Sequence, residues 1–197
     1  MPLVSPLAYQ KQLLNTLGGE IPPLAIVGNH SSVQKHKVFE SDAAIWVMNG
    51  KGCTLPRYDL VFQMHQPCDW GGGWANRWLR DNTTVPVYMR NQYPDVPMAV
   101  PYPFARVFGM LEKVKHHARR LRFHTGTPSY AVALAILQGY KKIEMLGVEM
   151  NEREYTEQQA SFAFWVGFAG GRGIELEINC ASNIFDKPLY GEKPLQE

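Results

Sequence analysis

Two side chains in this sequence stand where open α/β sheets do acid–base chemistry, at the carboxyl end of a short apolar run. Glu149 closes the run Ile143, Met145, Leu146 and Val148, and His65 closes Leu60 to Met64. A carboxylate at the first position accepts hydrogen bonds from a ribose or sugar hydroxyl or removes a proton; the alternative is a salt bridge to Arg153 or Lys142. An imidazole at the second is an acid–base candidate, or serves as a hydrogen-bonded structural histidine. Two loops of small residues suit an anion. Gly28-Asn29-His30-Ser31-Ser32 follows the apolar Leu24 to Val27, and Thr125-Gly126-Thr127 opens a helix in which Thr127 reads as the cap and Pro128 as the first helical residue. Backbone amides and hydroxyls so placed hold phosphate, whereas the plainer reading of the first loop is a capped strand-to-helix turn. No metal or other cofactor is expected. Histidines 30, 36, 65, 116, 117 and 124 do not sit at ligand spacing with the cysteines, and no Asp-x-Asp pair occurs. No Ser/His/Asp or Cys/His order points to a nucleophile.

These residues need a scaffold that gathers strand ends. The clearest piece runs from Phe123 to Met150. Tyr130, Ala133, Leu134, Leu137 and Tyr140 recur at three- and four-residue steps and predict a helix with one apolar stripe, ended by Gly139. The run from Ile143 to Val148 then predicts a strand covered on both faces. Leu24 to Val27, Ala43 to Met48 (closing on Asn49-Gly50), Leu60 to Met64 and Val85 to Met89 predict further strands, with Val33 to Phe39 helix-compatible between the first two. Strands alternating with short helical or turn segments imply βαβ units, hence one α/β domain over residues 1–197 with a mostly parallel sheet flanked by helices. Tyr155 to Ala169 predicts a second clear helix with Ala160, Ala163, Phe164, Gly167 and Phe168 on its apolar face, and Ile174 to Ile178 a strand with one wet face.

The connections are less regular. Residues 1–20 read as an N-terminal arm or helix and 186–197 as a tail. The tryptophan- and glycine-rich segment between Gln66 and Asn82 reads as a mobile loop before a short helix, either a lid or a connection anchored by Trp70, Trp74 and Trp78. Pro94, Pro97, Pro101 and Pro103 predict an extended loop, and Phe104 to Glu112 a helix. Lys113 to Arg122 is a basic run, read as the solvated face of a helix or as a patch that contacts phosphate, including that of a nucleic acid. A hydrophobic content of 45% excludes disorder, and a formal charge of +2 names no partner. Three widely spaced cysteines argue for a reducing compartment, and no run approaches the roughly 18 apolar residues of a membrane span, so a cytoplasmic protein without a membrane partner is expected. The aromatic content suggests self-association into a homo-oligomer.

Two stretches, AIVGNHSSV from Ala25 to Val33 and GTPSYAVALAILQGYKKIEMLGVE from Gly126 to Glu149, resemble the nucleotide-binding halves of the bacterial sialyltransferases with one Rossmann-like domain, and of the hydroxymethylpterin pyrophosphokinase-like family. In those families a Gly-Asn-Gly-Pro-Ser loop follows a strand, an asparagine ends the next strand, and a Ser/Thr-Gly turn opens a helix leading to a Gly-Ile-Asp strand. The matching residues are Gly28, Asn29 and Ser32, then Asn49, then Thr127, then Gly147 and Glu149. The chain as a whole is also similar to proteins carried by tailed bacteriophages. His30 stands where the family has its second glycine and Pro128 where the turn has its glycine. The sialyltransferases carry a catalytic histidine well after the Gly-Ile-Asp strand, and no histidine follows His124.

The resemblance implies a Rossmann-like fold and a nucleotide site made of Gly28, Asn29, Ser31, Ser32, Asn49, Thr125, Gly126 and Thr127. Joined to Glu149 and His65 as acid–base candidates, it implies a nucleotide- or nucleotide-sugar-dependent transferase of glycosyltransferase type. The alternatives are a nucleotide-binding protein without turnover, such as a sensor or a sequestering inhibitor of a signalling nucleotide, and a pyrophosphokinase-like enzyme. The phosphate is expected at the Thr127 helix start, with the 113–122 cations acting at longer range.

Overall fold

Leu24–Val27 has four apolar side chains and no polar one, so neither of its faces can meet water. In the computed structural model, which describes residues 21–67, 70, 74–116, 119–151, 155–179 and 184–185, it is the strand from which the sheet spreads both ways. The strands are β1 Leu24–Val27, β2 Ala44–Met48, β3 Leu60–Phe62, β4 Val87–Met89, β5 Ala99–Pro101, β6 Lys115–His116, β7 Arg119–Arg120, β8 Lys142–Leu146 and β9 Glu175–Asn179. Seven of them form one sheet in the order β5-β4-β3-β2-β1-β8-β9, every pairing parallel. The helices are α1 Trp74–Asp81, α2 Phe104–Gly109, α3 Thr127–Gln138 and α4 Thr156–Gly170. This is a Rossmann-like α/β domain, as the apolar runs predict.

The two-residue period of a strand divides the core in two. Leu24 and Ile26 face one apolar cluster with Trp46, Phe62, α3, and Phe162 and Trp165 of α4. Ala25 and Val27 face a second with Ile45, Val47, Val61, Val87 and Leu79 of α1. Ile26 has no exposed surface, and truncating it to alanine is expected to cost about 3 kcal/mol. Both helical layers are thus tied to the alternation along β1.

Several expectations change in detail. Val33 to Phe39 is not an α-helix but two 3-10 turns, Ser31–Lys35 and Lys37–Glu40, because the His36 side chain accepts a hydrogen bond from the Val38 amide and starts a new turn there. The proline-rich segment is not all loop, since Ala99–Pro101 adds β5 at the sheet edge, where proline's missing amide harms no inner pairing. The basic run is not a helix face. It folds as the antiparallel ribbon β6–β7, with Lys115 paired to Arg120 and His116 to Arg119. α3 is buried almost all round rather than along a stripe, because α4 and α2 cover the sides the sheet leaves open. The inward face of α4 is Ser161, Phe162, Trp165 and Ala169, while Ala160 and Gly167 are exposed. Residues 68, 69 and 71–73 of the glycine-rich segment lie outside the described residues, but two of the tryptophans around it are packed. Trp70 Nε1 donates to the His65 carbonyl at 3.2 Å, Arg80 lies over the Trp70 ring, and Trp78 packs on Gly52 and Tyr58. Among the described residues only Val114 and Phe185 are exposed large hydrophobics, so the aromatic content is mostly core. None of the described helices is long and apolar enough to cross a membrane. The arm at 1–20 and the tail at 186–197 lie outside the described residues.

Candidate functional site

From β1 the chain moves to β2 on one side of the sheet, and it returns through α3 to β8 on the other. The connections from this central pair therefore diverge, and a crevice opens beyond the carboxyl ends of β1 and β8. α3 runs into a parallel strand, so it starts at this same edge. A cleft of about 810 Å³ occupies the place.

Its floor is a joint between two glycines. The Gly28 amide donates to the Leu146 carbonyl at 2.7 Å and the His30 amide to the Gly147 carbonyl at 3.3 Å. A Cβ on Gly28 would collide with the Gly147 carbonyl oxygen. A Cβ on Gly147, whose φ is +60°, would lie 2.6 Å from a Val33 methyl. Only glycine fits at either position. Asn29 and His30 follow in the cleft wall, and the imidazole Nδ1 of His30 lies 3.2 Å from Oε1 of Glu149. Glu149 thus lies against His30, while Lys142 is bonded to Glu175 at 2.8 Å; Arg153 lies outside the described residues.

The opposite wall is the start of α3. Gly126, not Thr127, is the N-cap, with an extended backbone and no side-chain capping bond. A Cβ at 126 would meet the side-chain amide of Gln158 from α4. The Thr125 amide donates to Ser161 Oγ at 3.1 Å and its hydroxyl to the Glu157 carbonyl at 2.8 Å. Ser129 Oγ meets the fully buried Ser161 Oγ at 2.7 Å. These hydroxyls bind the helix start to α4.

Of the residues expected to carry the site, Gly28, Asn29, Asn49, His65, Thr125, Gly126, Thr127 and Glu149 all line this one cleft. Ser31 opens the first 3-10 turn and is not in the cleft wall; Ser32 follows it in that turn. Asn49, just beyond β2, has φ +53°, and its side-chain oxygen is buried without a partner. His65 is exposed, its amide bonded to Gln63 Oε1 at 3.3 Å. Compared with protein-family models, curated proteins and solved structures, the chain has no match. Its site is therefore read from its own geometry.

Three residues of that geometry were not singled out from the sequence. His30 is the partner of Glu149. Arg90 directly follows β4 and lines the cleft, and the rule that found His65 at the end of β3 would have found it. His124, beside Thr125, is held between Tyr130 (ring centroids 4.5 Å apart, planes at 15°) and Trp165 (4.8 Å, 19°). Both its ring nitrogens are buried without a hydrogen bond. Burial pushes its pKa down to about 4, against a weaker pull from the Ser129 backbone, so the ring is neutral at pH 7. No local pattern signals this, because Trp165 comes from another helix. Among the described residues no three His, Cys, Asp or Glu side chains are grouped to hold a metal ion.

Proposed function

We propose that the cleft binds a nucleotide or nucleotide-sugar and that the protein is a transferase of glycosyltransferase type, with Glu149 and His30 as its acid–base pair. The observation that carries this reading is convergence. The Gly28–His30 and Thr125–Thr127 loops, far apart in the chain, face each other across a cleft at the switch point of a parallel sheet, where such folds take nucleotides. A volume of about 810 Å³ suits a ligand of that size. A carboxylate beside an imidazole orients the ring, which places the pair to accept the proton of an acceptor hydroxyl as the donor's glycosidic bond to phosphate breaks. His65 is a second acid–base candidate on the same wall. The compartment that fits this reading is the cytoplasm, the host's if the chain is carried by a phage.

A pyrophosphokinase-like reading is less well supported, because magnesium at a nucleotide site is held by one or two carboxylates with the substrate's phosphates, and Glu149, the only carboxylate among the described residues of the cleft wall, already lies against His30. Thermal-shift screening and calorimetry with nucleotides and nucleotide-sugars, with and without magnesium, test binding. A time course on each hit, repeated with Glu149→Gln and His30→Gln, tests turnover. Binding without turnover would make the protein a sensor or sequestering inhibitor, and absence of binding across the panel would reject the nucleotide reading.

A further inference from the structure

We infer that Arg90 receives the ligand's phosphate, so that a nucleotide or nucleotide-sugar lies across the strand ends with its anion over β3 and β4 and its reacting end beside Glu149 and His30. This rests on the proposed function and adds to it where in the cleft the charge goes.

The start of α3 is where the sequence puts a phosphate, yet its donors are already engaged. Pro128 has no amide, the Ser129 amide is bonded to the Gly126 carbonyl at 3.1 Å, and both donors of Thr125 are bonded to α4. Of the amides from Thr125 to Ser129, those of Gly126 and Thr127 are left, and a phosphate group accepts several hydrogen bonds. The basic run does not supply the charge either. Lys113, Lys115 and Arg122 are outside the cleft wall, and Arg122 lies over the Phe108 ring.

Arg90 is placed differently. It is the only lysine or arginine among the described residues of the cleft wall, it is exposed, and no ion pair or hydrogen bond among the described residues engages it. Arg80, by contrast, reaches Asp95 at 3.2 Å. The charge of Arg90 is felt at the Tyr130 hydroxyl, where it opposes the effect of burial, so the guanidinium lies toward α3. A planar guanidinium takes a phosphate through two parallel hydrogen bonds. Glu149, at the other end, repels an anion. Four strand intervals separate β4 from β8, which at about 4.8 Å each is roughly 19 Å between backbones, a span for an extended two-part ligand rather than for a bare phosphate.

The test is calorimetric titration of the full chain with the diphosphates of adenosine, guanosine, cytidine and uridine and with the four parent nucleosides. Arg90→Gln should weaken the best-bound diphosphate by about 10- to 100-fold and leave its nucleoside within about twofold. Arg90→Lys should recover part of the loss, and Arg122→Gln should change neither at physiological salt. Unchanged diphosphate affinity in Arg90→Gln, or an equal loss for diphosphate and nucleoside, overturns the inference and leaves the proposed function standing. If no diphosphate binds the unaltered protein, the inference falls, and the proposed function falls with it only when the nucleotides and nucleotide-sugars of its own panel are silent as well.

Discussion

The two loops that face each other across the cleft have similar compositions and different construction. Gly28-Asn29-His30 is a backbone joint, in which Gly28 and Gly147 approach too closely for any side chain and the adjoining amides donate to the carbonyls of β8 and its turn. Thr125-Gly126-Thr127 is a side-chain joint, in which the exposed Thr125 and the buried Ser129 both meet the Ser161 hydroxyl and hold α3 to α4. In both, small residues at a ligand edge do structural work before any ligand arrives. The ionisable groups left to face the cleft are the last residue of the first loop, His30, and residues beside the loops, Glu149, Arg90 and Tyr130. A glycine and a threonine in such a motif therefore indicate where a site lies more reliably than they indicate what holds the ligand.

This contrast can be broken at either joint. Gly28→Ala should have the largest effect, because the methyl meets backbone and no rotamer relieves it; a loss of about 3 kcal/mol or more is expected in urea denaturation. The second joint should respond to acid through His124. Its pKa in the folded protein, about 4, lies below the 6.5 of an unfolded chain, so the unfolded state binds more protons between those values. Stability from this group is full above pH 6.5 and is lost as pH falls toward 4, by up to about 3 kcal/mol. Denaturation curves from pH 7 to 4 should show that slope in the unaltered protein and a shallower one in His124→Phe; parallel slopes would remove His124 from the account. Ser161→Ala should cost about 2 kcal/mol, since it leaves the buried Ser129 hydroxyl without this partner and removes the acceptor of the Thr125 amide. The smallest effect is expected at Thr127, whose side chain does not cap the helix. Thr127→Ala should shift stability by less than about 0.5 kcal/mol, and a thermal-melt loss of about 1 kcal/mol would restore threonine as the cap.

The sheet was largely legible in the sequence because a buried parallel strand is an apolar run, unbroken in β1, β2 and β3 and interrupted in β8 only by Glu144 after the exposed Lys142. β5 was not, because Ala99–Pro101 is a strand only by virtue of β4 beside it. Composition reported the charge of the 113–122 run but not its backbone, which reverses direction after His116. The face of α4 was misplaced because Phe162 and Trp165 compete with Phe164 and Phe168 at helical spacing, and only the position of His124 and Phe123 decides between them. The site was legible at strand ends, where position alone says which residues meet. The pairing of His30 with Glu149 and the stacking of His124 are contacts between distant segments, and neighbouring residues carry no trace of them.

The position of β1 also fixes when the cleft can exist. As the chain is synthesised, Leu24 to Val27 can pair with Ala44 to Val47 early, since the connection is short. The other side of β1 stays an open apolar edge until Lys142 to Leu146 has been made and has closed a loop spanning more than half the chain, which is a slow step for any polypeptide. The joint of Gly28 with Gly147 forms in that same step, so the cleft is completed late in folding and distinguishes finished molecules from partly folded ones.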